Sequence, residues 1–251
     1  MTAIANFAPS LVPALAPAVT SNRLLRLLSP LPSFEVFLPE APERHLATQY
    51  VADQFKVTHG ASVHDFMPLL LGMSCQGQFK AVSGIRPAAG HALFLEQYLG
   101  SRIETVLSQV SASEVRRNKV VEVGNLVATQ SGASQLLFLL LTVILHRCEF
   151  DWVVFTGTPV VIKGLERLGF KLERLCPADP SRLTSSKLED WGQYYEQRPQ
   201  VVAGYVPGGI RTLSEHKLYT AVLALFEPRI NQLAPAFRTP GLPYGTHAVP
   251  A

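Results

Sequence analysis

The sequence predicts a mixed α/β (α+β) domain, a central sheet flanked by helices, on three observations. Between Lys119 and Leu175, β-branched apolar runs alternate with longer helical patterns, an order that needs crossover helices on a largely buried sheet. Phe66–Cys75 and Phe79–Ile85 are apolar runs separated only by Gln76, Gly77 and Gln78, a hairpin signal with glycine at the turn. Of 251 residues, 47% are hydrophobic and 16% charged, which supplies a core and excludes wholesale disorder.

Taken in order, residues 1–33 are expected to be a mobile N-terminal arm. No Lys or Arg precedes its apolar start, and prolines at 9, 13 and 17 interrupt it, against a secretory signal. A single domain is expected over 34–226. Phe34–Leu38 is a first strand closed by Pro39. From Arg44 to Thr58, Leu46, Tyr50, Val51, Phe55 and Val57 recur near helical spacing. The hairpin follows, then an element over Leu93–Leu99 and a polar loop or short exposed helix over Ser108–Asn118.

Lys119–Ala128 is a β-branched strand, and Gln130–Arg147 a long, almost wholly apolar helix. Its run from Gln135 to Leu145 is about half of the ~20 residues that a membrane span needs, so a buried core helix and no stable membrane insertion are expected. Asp151–Thr156 is a buried strand, Pro159–Leu168 a helix with proline in its first turn, and Phe170–Leu175 a further strand. Val201–Val206 is the last strand and Ser214–Phe226 the last helix. From Glu227, proline and glycine multiply, predicting a loosely ordered tail over 227–251.

Composition narrows the chemistry. Lys plus Arg exceed Asp plus Glu by 22 − 19 = 3, and the cations are scattered rather than striped, against nucleic acid. Cys75, Cys148 and Cys176 form no CxxC pair, and none stands at ligand spacing from a histidine pair, so no metal site is expected. They read as reduced thiols of a cytoplasmic protein. The chain has no Gly-x-Ser-x-Gly, against an α/β-hydrolase.

The stretch 121–135, VEVGNLVATQSGASQ, concentrates the candidate chemistry. A strand ends at Ala128, a small polar turn follows, and a helix starts near Ser131. Its first N–H groups lack internal partners and the helix dipole is positive there. Gly132, Ala133 and Ser134 are small enough for a phosphate to approach; an ordinary helix start capped by Ser131 or Thr129 is the other reading.

Glu122, an acid in an apolar strand, is either a general base raised by burial or a solvent-facing strand residue. Asn125, behind Gly124, either binds a substrate or pantetheine amide or pins a bulge. Thr156 either lines a groove between strands or caps the next turn. Trp191, Tyr194 and Tyr195 surround Gly192 as a pocket wall or a packing patch.

The turn Gln130–Ser134 with its flanking strand and helix, the FTGTP of 155–159 and the ERLGF of 166–170 resemble the cofactor-binding core of GNAT acyltransferases, with a turn one residue shorter than usual. A closer resemblance is to the thermostable hemolysin family. It rests on FLEQYL at 94–99, VEVGNL at 121–126, WVVFT at 152–156, RLG at 167–169, Ala178 and Asp179, WGQYY at 191–195, Pro199, and Ala203 with Gly204, spanning about residues 65 to 206. The same core is distantly similar to acyl-homoserine-lactone synthases.

The GNAT resemblance implies an N-acyltransferase with no tightly bound cofactor, using acyl-CoA or acyl carrier protein phosphopantetheine as co-substrate and a small amine as acceptor. Backbone amides of Leu126, Val127 and Ala128 would align the pantetheine, and Gln130, Ser131, Gly132, Ala133 and Ser134 would hold the phosphate. Glu122 or Glu96 would deprotonate the amine, with Asn125 beside them. Tyr98, Thr156 and Trp191 would contact substrate. The family name implies a different activity, a membrane-active hemolysin, for which the sequence offers no cationic amphipathic helix. A non-catalytic module binding a carrier protein or acyl chain is the third expectation.

Overall fold

A computed structural model describes residues 23–184 and 188–238. Among them lies a seven-stranded sheet in the order β1-β2-β3-β4-β5-β7-β6. Its strands are β1 (Ser33–Phe37), β2 (Leu69–Cys75), β3 (Gln78–Pro87), β4 (Val120–Ala128), β5 (Trp152–Gly157), β6 (Leu172–Pro177) and β7 (Gln200–Tyr205). β4 and β5 are parallel; every other neighbouring pair is antiparallel. The helices are α1 (residues 23–27), α2 (Arg44–His59), α3 (Glu96–Leu99), α4 (Ile103–Ser111), α5 (Ala133–Arg147), α6 (Pro159–Arg167), α7 (Val206–Glu215) and α8 (Lys217–Leu233). This is the mixed α/β fold that the sequence predicts.

Each face of the sheet is covered. On one, α5 buries Leu136, Leu137, Leu139, Leu140, Ile144 and Leu145 in the largest core cluster, with Val121 and Val123 of β4 and Phe155 of β5 beneath it. On the other, α2 packs Ala47, Val51 and Phe55 against Leu70, Val82 and Trp191, while α3 and α4 cover Val120, Val154 and Ala203. No helix among the described residues is long and apolar enough to cross a membrane.

Several elements differ from expectation. In α2 the buried stripe is Ala47, Val51, Phe55 and His59, an i, i+4 row, and Leu46 and Val57 lie outside at 51% and 81% exposure. Helix α4 starts at Ile103, ahead of the segment 108–118 expected as a loop or short exposed helix, and reaches into it as far as Ser111, held by the burial of Ile103 and Leu107. The last helix, expected over Ser214–Phe226, is two helices: α7 starts earlier, at Val206, and α8 begins at Lys217. Proline fits the first turn of a helix; a Cβ on Gly209 would lie 3.1 Å from Thr142 Cγ2 of α5, so glycine permits close packing.

The expected tail begins too early, since α8 continues through Pro228 to Leu233 and a 3₁₀ turn follows. Ile230, Leu233 and Phe237 are buried there. At about 1.5–3 kcal/mol each, these burials outweigh the roughly 3 kcal/mol of an interior proline. Likewise α1 lies within the expected arm and buries Leu24 and Leu27. Residues 1–22 and 239–251, the rest of the expected arm and tail, lie outside the described residues.

Candidate functional site

Strand β4 positions the site. Its side chains alternate, so Val121 and Val123 enter the α5 core while Val120 and Glu122 face the α3–α4 layer. Glu122 is 1% exposed. Its Oε2 accepts the Phe94 N–H and its Oε1 the Leu95 N–H, each at 3.1 Å, and Arg86 Nη1 lies 3.6 Å from Oε2. Burial pushes the carboxyl above the usual carboxylate range; Arg86 and the two N–H groups pull the other way.

At the next residues the sheet changes. The register of β3 against β4 shifts between Val82 and Gly84, and Asn125 adopts φ 46°, forming a bulge. The Asn125 side chain is 0% exposed, accepts the Met67 N–H at 2.8 Å through Oδ1 and donates to the Asp65 carbonyl at 3.4 Å. Its amide therefore ties the 65–67 segment to the bulge. Gly84 makes room for it, because a Cβ there would stand 2.8 Å from Asn125 Oδ1.

Parallel pairing runs from Val120↔Trp152 to Val123↔Phe155 and stops, while β4 continues to Ala128 and β5 to Gly157. The two strands part there, one step beyond Glu122. Leu126, Val127 and Ala128 lie on this diverging stretch of β4. Thr156 lies on the facing stretch of β5, with its Oγ1 buried and lacking a hydrogen-bond partner among the described residues. The Tyr194 hydroxyl donates to the Thr156 carbonyl at 3.3 Å.

An aromatic group fills the α3 side of this region. Ring centroids lie 6.0 Å apart for Phe94–Tyr98, 6.1 Å for Phe94–Trp191, and 5.3 Å for both Trp191–Tyr194 and Tyr194–Tyr195. Trp191 and Tyr194 are fully buried, and Trp191 Nε1 has no hydrogen-bond partner among the described residues. The Tyr98 and Tyr195 hydroxyls share a short hydrogen bond. Burial, the neighbouring Tyr195 and the charge of Glu122 push Tyr98 far above the usual tyrosine range; burial pushes Tyr195 up to about 12. The structure thus brings Glu122, Tyr98 and Trp191 to one side of the sheet.

Glu96 stands apart from them. Its carboxylate accepts the Leu93 and Ile103 N–H groups at 2.7 and 2.8 Å, and Arg117 grips it with Nη1 at 2.7 Å and Nη2 at 3.0 Å. Burial raises its pKa, yet these four bonds outweigh that and hold it below the usual range. Arg117 also binds Glu104 and the carbonyls of Ala88 and His91, so the cluster staples α3, α4 and the loop after β3.

The β4–α5 turn places Gly132 at φ 88°, with Gly132, Ala133 and Ser134 buried, Gln130 partly buried and Ser131 exposed. Helix α1 covers this start: a Cβ on Gly132 would meet Leu27 Cδ1 at 2.8 Å and the Arg23 carbonyl at 3.2 Å. The Ser134 hydroxyl is buried without a hydrogen-bond partner among the described residues.

On the opposite face of the sheet lies a cavity of about 440 Å³. Val123 and Phe155, the last paired residues of β4 and β5, form part of its wall with Phe138, Leu141, Leu165 and Phe170; Lys171, Glu173, Arg211 and Glu215 also line it. Sequence reasoning missed this cavity. Its lining reads as ordinary core, and an unfilled space carries no residue signal.

A family model described as thermostable hemolysin matches residues 38–210. Among solved structures, FeeM, an N-acyl amino acid synthase from uncultured soil microbes, superposes with a TM-score of 0.51 at 14% identity, covering 75% of this chain and 98% of that one. The AHL synthase LasI gives 0.47 at 14% identity over 70% and 90%. The CoA-dependent acyl-homoserine lactone synthase BjaI, with SAM and isopentyl-CoA, gives 0.44 at 13% identity over 84% and 92%. No curated protein matches the sequence. The likeness to FeeM is one of fold. With the match running from just past β1 into α7, the chain belongs to the thermostable hemolysin family.

Proposed function

We propose that the chain is an N-acyltransferase-like enzyme that moves an acyl group from a thioester, acyl-CoA or acyl carrier protein, to a small amine. The observation that carries this reading is the buried Glu122 carboxylate one step from the point where β4 and β5 part. The thioester would enter the opening along β4, where the stretch Leu126, Val127 and Ala128 would align the pantetheine through those backbone groups that face away from β3. Its acyl chain would pass Val123 and Phe155 into the apolar cavity.

The acceptor nitrogen attacks the thioester carbonyl and an N–C bond forms. Glu122, poised by burial to hold a proton, takes one from the nitrogen. As the C–S bond breaks, that proton passes to the leaving thiolate. Tyr98 and Trp191 would contact the acceptor, and Thr156 offers an unpartnered hydroxyl to the same opening. Positioning and proton removal together supply the rate. FeeM, which shares the fold, is an N-acyl amino acid synthase, and this supports the reaction class.

The test mixes the protein with acyl-CoAs and acyl carrier proteins of several lengths plus a panel of amines, with products followed by mass spectrometry. An acyl amide that falls by about 10²–10⁴-fold in Glu122→Gln is the expected result. Donors that all remain intact would sink the reading.

A further inference from the structure

Beside the β4–α5 turn the chain holds a second recess, of about 210 Å³. Its polar wall comes from Arg26 of α1, Ser29, Gln76 and Gln78 of the β2–β3 hairpin, Lys80 of β3 and Gln130 of the turn. None of the lining residues is a carboxylate. Lys80 Nζ donates to a neutral partner, Gln78 Oε1, at 3.3 Å. Two cations and three amides without an acid leave positive charge for an anion to neutralise, and an arginine fork matches phosphate oxygens in pairs.

The recess is fixed in place. The Thr129 N–H donates to the Lys80 carbonyl at 3.0 Å, which sets Lys80 against the turn. α1, which closes the approach over Gly132 with Leu27 and the Arg23 carbonyl, brings Arg26 to the recess. The helix start is thus shielded where side-chain cations stand open.

We propose that this recess binds the phosphate of a phosphopantetheine arm through Arg26 and Lys80. The proposal rests on the acyl-transfer reading for the identity of the donor. Spacing supports it: Ala128 pairs with Ala81 next to Lys80, and Glu122 pairs with Arg86. From 122 to 128 the strand rises about 20 Å at roughly 3.3 Å per residue, a span comparable to an extended phosphopantetheine arm. A phosphate in the recess would leave the thioester near the Glu122 level. CoA and a holo carrier protein both present this group.

The experiment is calorimetric titration of the whole chain with inorganic pyrophosphate, 4′-phosphopantetheine, pantetheine, CoA and holo acyl carrier protein at low salt. Pyrophosphate and phosphopantetheine are expected to bind, and pantetheine roughly tenfold more weakly or not at all. Arg26→Gln and Lys80→Gln each weaken binding roughly tenfold, the double variant abolishes it, and Lys80→Arg retains it. Thermal unfolding of each variant checks that it is folded. CoA binding without holo carrier protein, or the reverse, identifies the donor.

Absence of pyrophosphate binding at millimolar concentration, or equal affinity in the folded double variant, overturns the site. Pyrophosphate binding without thioester turnover keeps the site and sinks the acyl-transfer reading. Turnover without phosphate-dependent binding does the opposite.

Discussion

The Glu122 carboxylate and the Arg86 guanidinium stand 3.6 Å apart on laterally paired positions of β4 and β3. Arg86 is the cation that opposes the upward push of burial on Glu122. A base works deprotonated, so kcat/KM should rise with pH through the Glu122 pKa. Arg86→Met removes the opposing charge, raises that pKa further and moves the acidic limb to higher pH. A pH–rate profile unchanged in Arg86→Met would remove Glu122 from the role of base.

Glu96 and Arg117 form the other carboxylate–guanidinium pair of this layer, and it is a staple. Both side chains are mostly buried, at 14% and 13% exposure. Arg117→Met leaves Glu96 without its cation and should cost about 3 kcal/mol in chemical denaturation, the low end for a buried pair because both partners keep some exposure. Glu96→Gln should lower stability by a comparable amount while turnover at saturating substrate persists. Loss of turnover in a stably folded Glu96→Gln protein would transfer the role of base to Glu96.

His59 introduces a pH dependence of stability. It is buried, with Nδ1 3.2 Å from Gln197 Nε2 and its ring edge-on to Tyr194. Burial pushes its pKa from 6.5 down to about 4. Between those values the unfolded chain binds a proton that the folded chain does not. Stability therefore rises as pH increases from about 4 to 6.5 and is level above, with at most about 3 kcal/mol at stake. Urea midpoints measured across this range should lose that component in His59→Gln.

Two glycines near His59 separate backbone strain from collision. Gly60 has φ 65° and open space where a Cβ would stand, so Gly60→Ala should cost about 1 kcal/mol. Gly192 has φ 50°, and its Cβ would lie 2.2 Å from the His59 carbonyl oxygen. Gly192→Ala should cost at least about 2 kcal/mol more, and loosen the contact between α2 and the Trp191–Tyr195 segment. Equal melting temperatures for the two variants would contradict the collision.

The alternation of strands and helices from 119 to 175, the hairpin around Gly77 and the buried α5 were legible because periodicity and turn residues act over a few positions. Pro228 misled, since a local breaker signal yields to tertiary burial of Ile230, Leu233 and Phe237. At the site, composition alone marked Glu122, an acid among valines. It did not reveal that Asn125 is spent on the 65–67 backbone or that Glu96 is spent on Arg117, because those partners lie 58 to 60 and 21 residues away.

By itself, then, the sequence determined the element order, the bulge-prone Gly124–Asn125 step and the family. Only the tertiary structure decided that Arg117 grips Glu96 with both Nη atoms while Arg86 reaches Glu122 only at 3.6 Å, where the cavity lies, and that α1 shields Gly132 beside the Arg26–Lys80 recess. These depend on which distant side chains share a face of one sheet. Strand pairing and close packing set that, and no local pattern encodes it.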